Sequence, residues 1–286
     1  MSLSRRYIPS RSRHYFFQSV PRYIHNQLRN SSNAFTKPDS VNPSEIAHFN
    51  ALASTWWDYH GPLRLLHLMN PLRHSFIARC HASQLNGRPL NHKLRYLDVG
   101  CGGGIFAESA ARLNAVEIVT AIDPSSRVLA VAKAHARRDP GLQGKLFYKN
   151  TSIEEMPVPV SVTEQYDVLS LFEVIEHIAF PAAFLEYCKN FVRPGGWVVM
   201  STMARTWLSW LTTIAVAEYA LRIVPPGTHK WENYIKPDEL KAWFMKEKGW
   251  NSPQVSGVVY VPGIGWRQVK GSEHIGNYFF GIRRDN

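Results

Sequence analysis

A glycine-rich turn at residues 98–104 constrains the fold of this chain more than any other feature. A strand-like apolar run leads into the turn, and a helix-like segment follows it. Glycines occupy alternate positions of the turn, namely Gly100, Gly102 and Gly104. Glycine lacks the Cβ atom that would block a ligand from the backbone, and a helix N-terminus adds unpaired N–H groups. Asp123 ends a second apolar run, so a nucleoside-containing cofactor is predicted here, with its ribose on this carboxylate.

Two cofactor classes use such a turn, and the spacing of the glycines separates them. Dinucleotide-binding proteins carry G-x-G-x-x-G, whereas this chain has Ile105 at the last position. The shorter G-x-G-x-G, preceded by Leu97-Asp98-Val99, resembles motif I of the class I S-adenosylmethionine (SAM) methyltransferases. The resemblance implies that Asp98 and the turn frame the methionine end of SAM, and that Asp123 holds the ribose. The alternative is an ordinary strand–helix turn without a cofactor.

The positive charge of the chain is concentrated at its N-terminus. Residues 1–38 contain six arginines, one lysine and no acidic residue, and removing these seven charges from the net charge of +11 leaves +4. The remaining chain therefore gives little support for nucleic-acid binding, and we expect none. An acid-free segment rich in arginine and serine is typical of a mitochondrial transit peptide. A disordered basic tail is the alternative.

From residue 94 onward, strand-like and helix-like patterns alternate, which predicts a parallel sheet with helices on both faces. The predicted strands span 94–99, 117–122, 145–149, 166–172, 197–202, 254–260 and 277–283, and the helices span 103–113, 125–138, 181–192 and 237–248. The fold class is therefore α/β, a Rossmann-like class I methyltransferase fold with a seven-stranded, mostly parallel sheet. We expect this methyltransferase domain to span residues 42–286.

A helical cap is expected ahead of the sheet, at residues 42–85. Residues 42–45 read Asn-Pro-Ser-Glu, which is a helix-start signature, and a second Asn-Pro at 70–71 predicts another helix start. Such helices can cover the cofactor crevice. Arg73 would then lie near a helix N-terminus, in reach of the methionine carboxylate of SAM.

Residues 204–230 interrupt the alternation of strands and helices. Apolar residues recur there at helical spacing and include Trp207 and Trp210, with cationic residues on both sides. The uncharged stretch 206–217 is too short to span a bilayer. Tryptophans and flanking cations favour an interfacial helix at a membrane surface. A lid or core helix is the alternative.

Two carboxylates and an imidazole follow the fourth predicted strand. Glu173, Glu176 and His177 would share one face of a helical turn, at the edge where an open α/β sheet binds ligands. Oxygen-rich ligation suits Mg²⁺, and the histidine leaves Zn²⁺ or Mn²⁺ open. A metal-bound hydroxyl is more acidic and can attack the SAM methyl group. The metal-free alternative uses His177 as general base, and His177 and Glu173 are the predicted catalytic residues.

Several stretches together resemble the ubiquinone-biosynthesis O-methyltransferases, over roughly residues 45–282. They are Trp56-Trp57-Asp58, Leu66–Arg73, Leu97–Ile105, Glu173–His177, Ala217–Tyr219, Leu221–His229 and Tyr234–Pro237. The resemblance implies methylation of catechol-type hydroxyls on polyprenylated dihydroxybenzoate and demethylubiquinol intermediates. The site residues that it implies are Arg73, Gly100, Asp123 and Phe172 for SAM, and Glu173, Glu176 and His177 for a divalent metal.

The resemblance also implies where the protein acts and with what. It implies the matrix side of the mitochondrial inner membrane, contact with the membrane surface through 204–230, and membership of a multi-enzyme assembly. Pro226 and Lys230 depart from the residues that are frequent at these positions of the family.

Two alternative functions stay open. One is a SAM-dependent methyltransferase for another small acceptor, at oxygen or carbon. The other is a catalytically idle, membrane-bound scaffold. The chain has no Asn/Asp-Pro-Pro-aromatic motif, which is usual in methyltransferases that act on amide or base nitrogens, and this favours hydroxyl or carbon acceptors.

Overall fold

The computed structural model describes residues 40–85, 92–205 and 234–285. The strands are β1 (Leu94–Val99), β2 (Val116–Asp123), β3 (Leu146–Asn150), β4 (Tyr166–Phe172), β5 (Val192–Met203), β6 (Trp250–Val261), β7 (Gly265–Gln268) and β8 (Asn277–Arg284). The helices in this part of the chain are α1 (Pro43–Leu52), α2 (Arg64–Leu85), α3 (Ile105–Ala111), α4 (Ser126–Ala136), α5 (Pro181–Cys188) and α6 (Pro237–Lys246).

The sheet has the order β3-β2-β1-β4-β5-β8-β6-β7. The first five of these strands run parallel, and β8, β6 and β7 pair antiparallel with their neighbours. Because the chain moves to one side of β1 with β2 and to the other side with β4, a ligand crevice opens at their carboxyl ends. The predicted α/β class is confirmed. The prediction of seven strands missed β7, which is only four residues long and too short to show an alternating pattern.

The core lies on both faces of the sheet, as the alternation of side chains along β4 illustrates. Leu169 and Leu171 pack into one apolar cluster with α5 and α6, and Val168 and Phe172 pack into another with α2 and α3. All seven residues of β4 are buried, which is typical of a central strand in a sheet covered on both sides. The carboxyl end of β4 therefore has a rigid base.

The two helices ahead of the sheet match the prediction in one case and differ in the other. α1 starts as predicted, with Asn42 as the N-cap accepting a hydrogen bond from the Ser44 N–H at 3.0 Å. α2 instead begins at Arg64 and contains Pro71, so Arg73 is not near a helix N-terminus. A proline inside a helix costs about 3 kcal/mol because it removes one hydrogen bond. Apolar burial on both sides of the proline offsets this cost, at Met69, Phe76 and Ile77.

The predicted transit segment 1–38 lies outside the described residues, as does the insertion 204–230 apart from Ala204 and Arg205. The chain on either side of the insertion is held by α6 and the sheet. Arg205 forms an ion pair with Glu239 of α6 at 2.6 Å, and the Tyr278 hydroxyl donates to the Ile235 carbonyl at 2.7 Å. None of the helices in the described ranges is long and apolar enough to cross a membrane.

We expect Phe280→Ala to lower the free energy of unfolding by about 3–5 kcal/mol, because deleting a buried ring leaves a cavity. Phe280 is 0 % exposed and lies on β8, between β5 and β6. Val160→Ala is the control, since the Val160 side chain is 91 % exposed, and it should change stability by at most about 0.5 kcal/mol. Denaturant-induced unfolding measures both values, and equal effects would contradict the placement of β8 in the core.

Candidate cofactor and acceptor site

A cavity of about 680 Å³ opens at the carboxyl ends of β1, β2 and β4. It is lined by every residue predicted for the site except Gly104. Its volume falls in the range of about 300–1,000 Å³ that is usual for small-molecule sites. Gly104 has a packing role instead, because a Cβ atom there would lie 2.0 Å from the Tyr148 hydroxyl. The structure thus brings the two halves of the predicted site, which are far apart in sequence, to one cavity.

The glycine turn is shaped by packing as well as by backbone conformation. Gly100 and Gly102 have φ angles of +67° and +52°, a region that glycine adopts at low cost. A Cβ atom on Gly102 would lie 2.2 Å from the Trp56 ring, and one on Gly100 would lie 2.7 Å from Val174. Sequence reasoning explained these glycines by the approach of a ligand. The structure adds that the cap residue Trp56 rests directly on the turn.

Asp123 links the glycine turn to the start of α4. Its two carboxylate oxygens accept hydrogen bonds from the N–H groups of Gly102, at 2.9 Å, and Ser125, at 2.8 Å. Burial raises the pKa of Asp123 above its ordinary value, although these two hydrogen bonds oppose the rise. Each oxygen keeps a further lone pair that can accept a hydrogen bond from a ligand. The ribose role of Asp123 stays a prediction.

Arg73, Asp98 and Phe172 form the deep wall of the cavity. The guanidinium carbon of Arg73 lies 4.8 Å from the centre of the Phe172 ring, in a cation–π contact. Ser170 donates a hydrogen bond of 2.6 Å to Asp98, and burial raises the pKa of Asp98 to about 7. Burial lowers the pKa of Arg73, and its Nε has no hydrogen-bond partner within the described residues. A buried cation with an unused donor suits an anionic ligand group, such as the carboxylate predicted for this position.

The expected helical turn over residues 173–177 is not formed. Glu173 has a φ angle of +58°, and a 3₁₀ turn, Ile175–His177, follows it. Positive φ is unusual for any residue but glycine, so the chain bends sharply directly after β4. Successive residues of a 3₁₀ turn are about 120° apart, which separates Glu176 from His177. The prediction that the three residues share one helical face is therefore wrong.

The three predicted metal ligands each have a different partner in this arrangement. Ser201 Oγ donates to Glu173 Oε1 at 2.6 Å, Thr202 Oγ1 donates to Glu176 Oε2 at 3.0 Å, and His177 Nδ1 lies 2.9 Å from Glu45 Oε2. Burial and the charge of Glu173 raise the pKa of Glu176, which indicates that the two acids lie close together. The part of the chain that the structure describes contains no group of three His, Cys, Asp or Glu side chains placed to hold a metal ion. The metal site stays a prediction.

His177 connects the cap helix α1 to the cavity. Glu45 accepts from its ring, and the Phe49 ring meets it edge-on at 5.2 Å. Burial lowers the pKa of His177, but the hydrogen bond to Glu45 and the charges of Glu176, Glu45 and Glu173 outweigh burial, so the pKa lies above its ordinary value. Sequence reasoning missed Glu45 as a site residue. Its only local signal is that of a helix start, and its partner lies 132 residues further along the chain.

We expect Gly102→Ala to weaken SAM binding by more than about tenfold, because the new methyl group meets Trp56 and strains a left-handed residue. Gly144→Ala is the matched control. Gly144 also has positive φ, at +76°, but no atom lies within 4 Å of the position of its Cβ. It should cost about 1 kcal/mol of stability and leave SAM affinity unchanged. Calorimetric titration with SAM measures both, and equal affinities in the two variants would contradict a cofactor role for the turn.

Comparison with known proteins confirms the resemblance found in the motifs. A family model described as a methyltransferase domain matches residues 65–253. The mitochondrial ubiquinone biosynthesis O-methyltransferase of Schizosaccharomyces pombe is 44% identical over 225 residues, which cover 78% of this chain and 77% of the relative. The corresponding Candida albicans protein is 38% identical over 288 residues, covering 86% of each chain.

Solved structures support the fold independently of these sequences. The plantazolicin methyltransferase BpumL in complex with SAH has a TM-score of 0.57 and 15% identity, and the match covers 85% of this chain and 97% of that one. A possible histamine N-methyltransferase from Thermotoga maritima has a TM-score of 0.51 and 14% identity, covering 85% of this chain and 100% of that one. At such identities the likeness shows the class I fold alone. The sequence relatives establish that this chain belongs to the ubiquinone biosynthesis O-methyltransferase family of SAM-dependent methyltransferases.

Proposed function

We propose that this protein transfers the methyl group of SAM to a catechol-type hydroxyl of polyprenylated dihydroxybenzoate and demethylubiquinol intermediates in ubiquinone biosynthesis. The observation that carries the proposal is that one cavity is lined by both a donor side, at the glycine turn and Asp123, and an acceptor side, at His177. Relatives named as ubiquinone biosynthesis O-methyltransferases support the choice of acceptor. The fungal relatives are named mitochondrial, which supports a mitochondrial location.

The donor side orients SAM through three kinds of contact. The left-handed backbone at Gly100 and Gly102 lets the cofactor approach the turn after β1. Asp123 accepts hydrogen bonds from the ribose hydroxyls, and Arg73 binds the methionine carboxylate with its unused donor. Asp98 faces the methionine end of the cofactor, held by Ser170. These contacts aim the methyl group at the acceptor side of the cavity.

On the acceptor side, His177 is the general base of the metal-free reaction. A proton on its Nδ1, donated to Glu45, leaves the Nε2 lone pair to accept the proton of the substrate hydroxyl. The hydroxyl oxygen then forms a bond to the methyl carbon while the bond from that carbon to the SAM sulfur breaks. The sulfonium leaves as a neutral thioether. Glu45 stabilises the imidazolium that forms, as a carboxylate does in other histidine-based sites.

The same residues can instead hold a divalent metal, which we propose as the alternative way to activate the hydroxyl, because His177 Nε2 cannot bind an ion and accept a proton at once. Glu173, Glu176 and His177 would hold it, and the pairing of His177 Nδ1 with Glu45 is the carboxylate contact usual for a metal-bound histidine. Ser201 and Thr202 at present hold the two acids through their hydroxyls, so the acids must exchange partners to bind an ion. When bound, the metal would make the acceptor hydroxyl more acidic.

The position of the protein in the cell is part of the proposal. We propose that it sits on the matrix side of the inner membrane, touching the membrane surface through residues 204–230, and that it works within a multi-enzyme assembly. Support comes from the tryptophans and flanking cations of that segment and from the acid-free N-terminal 38 residues. An apolar substrate of this class resides in the bilayer, so surface attachment would bring the cavity to it.

We expect His177→Asn to lower kcat by about 10²–10⁴-fold, since it removes the base. Glu45→Gln should lower kcat less and move the rise of the pH–rate profile to lower pH. The rise moves to lower pH because a base works when it is neutral. Glu45 raises the pKa of His177, so its loss would let the imidazole become neutral at lower pH. The measurement is kcat against pH with SAM and a short-chain catechol. An unshifted profile in Glu45→Gln would show that Glu45 acts only in folding.

With the metal as the activating group, chelation should lower methyl transfer by at least about tenfold, because the hydroxyl would lose an acidifying cation. Addition of Mg²⁺, Zn²⁺ or Mn²⁺ in turn should restore it and show which ion serves. Rates are measured with SAM and the same catechol after exhaustive treatment with a chelator. Undiminished activity would exclude the metal and leave the His177 mechanism in place.

A further inference from the structure

The cavity has an apolar wall that the proposed reaction does not use. Leu65, Met69 and Arg73 line it at intervals of four residues, so one stripe of α2 faces the cavity. The hairpin of β6 and β7 packs beside this stripe, with the rings of Tyr260 and Trp266 5.3 Å apart. The indole N–H of Trp266 donates to the Leu65 carbonyl at 3.0 Å, which joins the hairpin to the helix. The stripe thus runs from Arg73, at the cofactor side, to the hairpin.

This wall continues to an exposed apolar rim. Val259 and Ile275 line the cavity, yet they are 36% and 43% exposed. Ile264, at the tip of the hairpin, is 59% exposed. Of these three residues, Val259 and Ile275 line the cavity itself, and exposed apolar side chains in a cavity lining mark a place that a ligand can cover. The Arg79 guanidinium also donates a hydrogen bond of 2.7 Å to the side-chain oxygen of Gln268. This bond fixes the hairpin to α2, so the rim has a defined position.

The size of the cavity requires an exit for a long substrate. Its volume of about 680 Å³ suits one drug-sized ligand, and both the cofactor and the acceptor ring must share it. A long apolar chain on the ring must therefore leave the cavity. The sides near α4 and α1 present polar side chains, among them Ser125, Asn42 and Glu45. Apolar residues such as Phe49 and Val128 line those sides too, but among the described residues the apolar lining continues to exposed residues only on the side of Val259 and Ile275.

We infer that the apolar tail of the acceptor lies along the wall that α2 and the β6–β7 hairpin form together, and leaves the cavity over Val259 and Ile275. These two residues then determine how strongly the protein prefers a long tail to a short one. The inference rests on the proposed function, because it takes an acceptor ring placed at His177 as its starting point. It assigns a specificity role to Val259 of β6 and to Ile275, just before β8, that sequence reasoning did not find.

The test compares two substrates in the double variant Val259→Thr/Ile275→Thr. One catechol carries a tail of several prenyl units, and the other carries a single prenyl unit, both dispersed in the same detergent. Threonine keeps the β-branched shape that suits a strand while making the rim polar. The ratio of kcat/KM for the long-tail to the short-tail substrate should fall about fivefold. The single variant Ile275→Thr should show part of this fall, and serves where the double variant fails to fold.

Val158→Thr is the matched control. Val158 is 43% exposed, the same as Ile275, but it lies on the connection between β3 and β4 and not in the cavity lining. It should leave the ratio unchanged. A ratio within about twofold of wild type in the rim variants, or an equal fall in Val158→Thr, would overturn the inference while wild type still methylates both substrates. Failure of wild type to methylate either catechol would instead refute the proposed function.

Discussion

Asp123 accepts hydrogen bonds from two backbone N–H groups, and the arrangement of the site depends on this interaction. One N–H belongs to Gly102 in the turn after β1, and the other to Ser125 at the start of α4. Ser125 in turn caps α4 through its hydroxyl and donates to Asn50 of the cap helix α1. A single carboxylate therefore fixes the turn, a helix start and the cap relative to one another. Backbone donors of this kind are well suited to a half-buried acid, because they satisfy it without a counter-charge.

Arg73 carries a buried positive charge in the deep part of the cavity. The charges of Glu173, Asp98 and Glu176 all act on it. Removing the arginine would leave Asp98 and Glu176, which are both buried, with less compensating charge, and breaking such buried charge interactions is costly. The position of Arg73 midway along α2, rather than at a helix end, makes its backbone rigid. The cap is thus held to the sheet by electrostatics as well as by apolar packing.

Much of the fold was predictable because the signals are local. The alternation of strands and helices, the glycine spacing and the Asn42 cap each depend on neighbouring residues, and the structure confirms them. What sequence reasoning missed depends on distant contacts or on context. The hydroxyls of Ser170, Ser201 and Thr202 look like ordinary strand residues until the acids they hold are known. The left-handed backbone of Glu173 overrides the helical periodicity read there, and apolar packing carries α2 through Pro71. The roles of the individual site residues stay predictions.

The path of β5 has an evolutionary consequence. Thr202 and Met203 still pair with Tyr278 and Asn277 of β8, and the ion pair of Arg205 with Glu239 follows directly. Ser201 and Thr202, whose hydroxyls hold the two acids, therefore lie inside the hydrogen-bonded ladder of β5 and β8. Residues 206–233 follow in the sequence after the ion pair of Arg205 with Glu239. Ser201 and Thr202 are therefore constrained twice, by the pairing of β5 with β8 and by the acid that each hydroxyl holds. Selection acts on these two positions through the sheet as well as through the cavity.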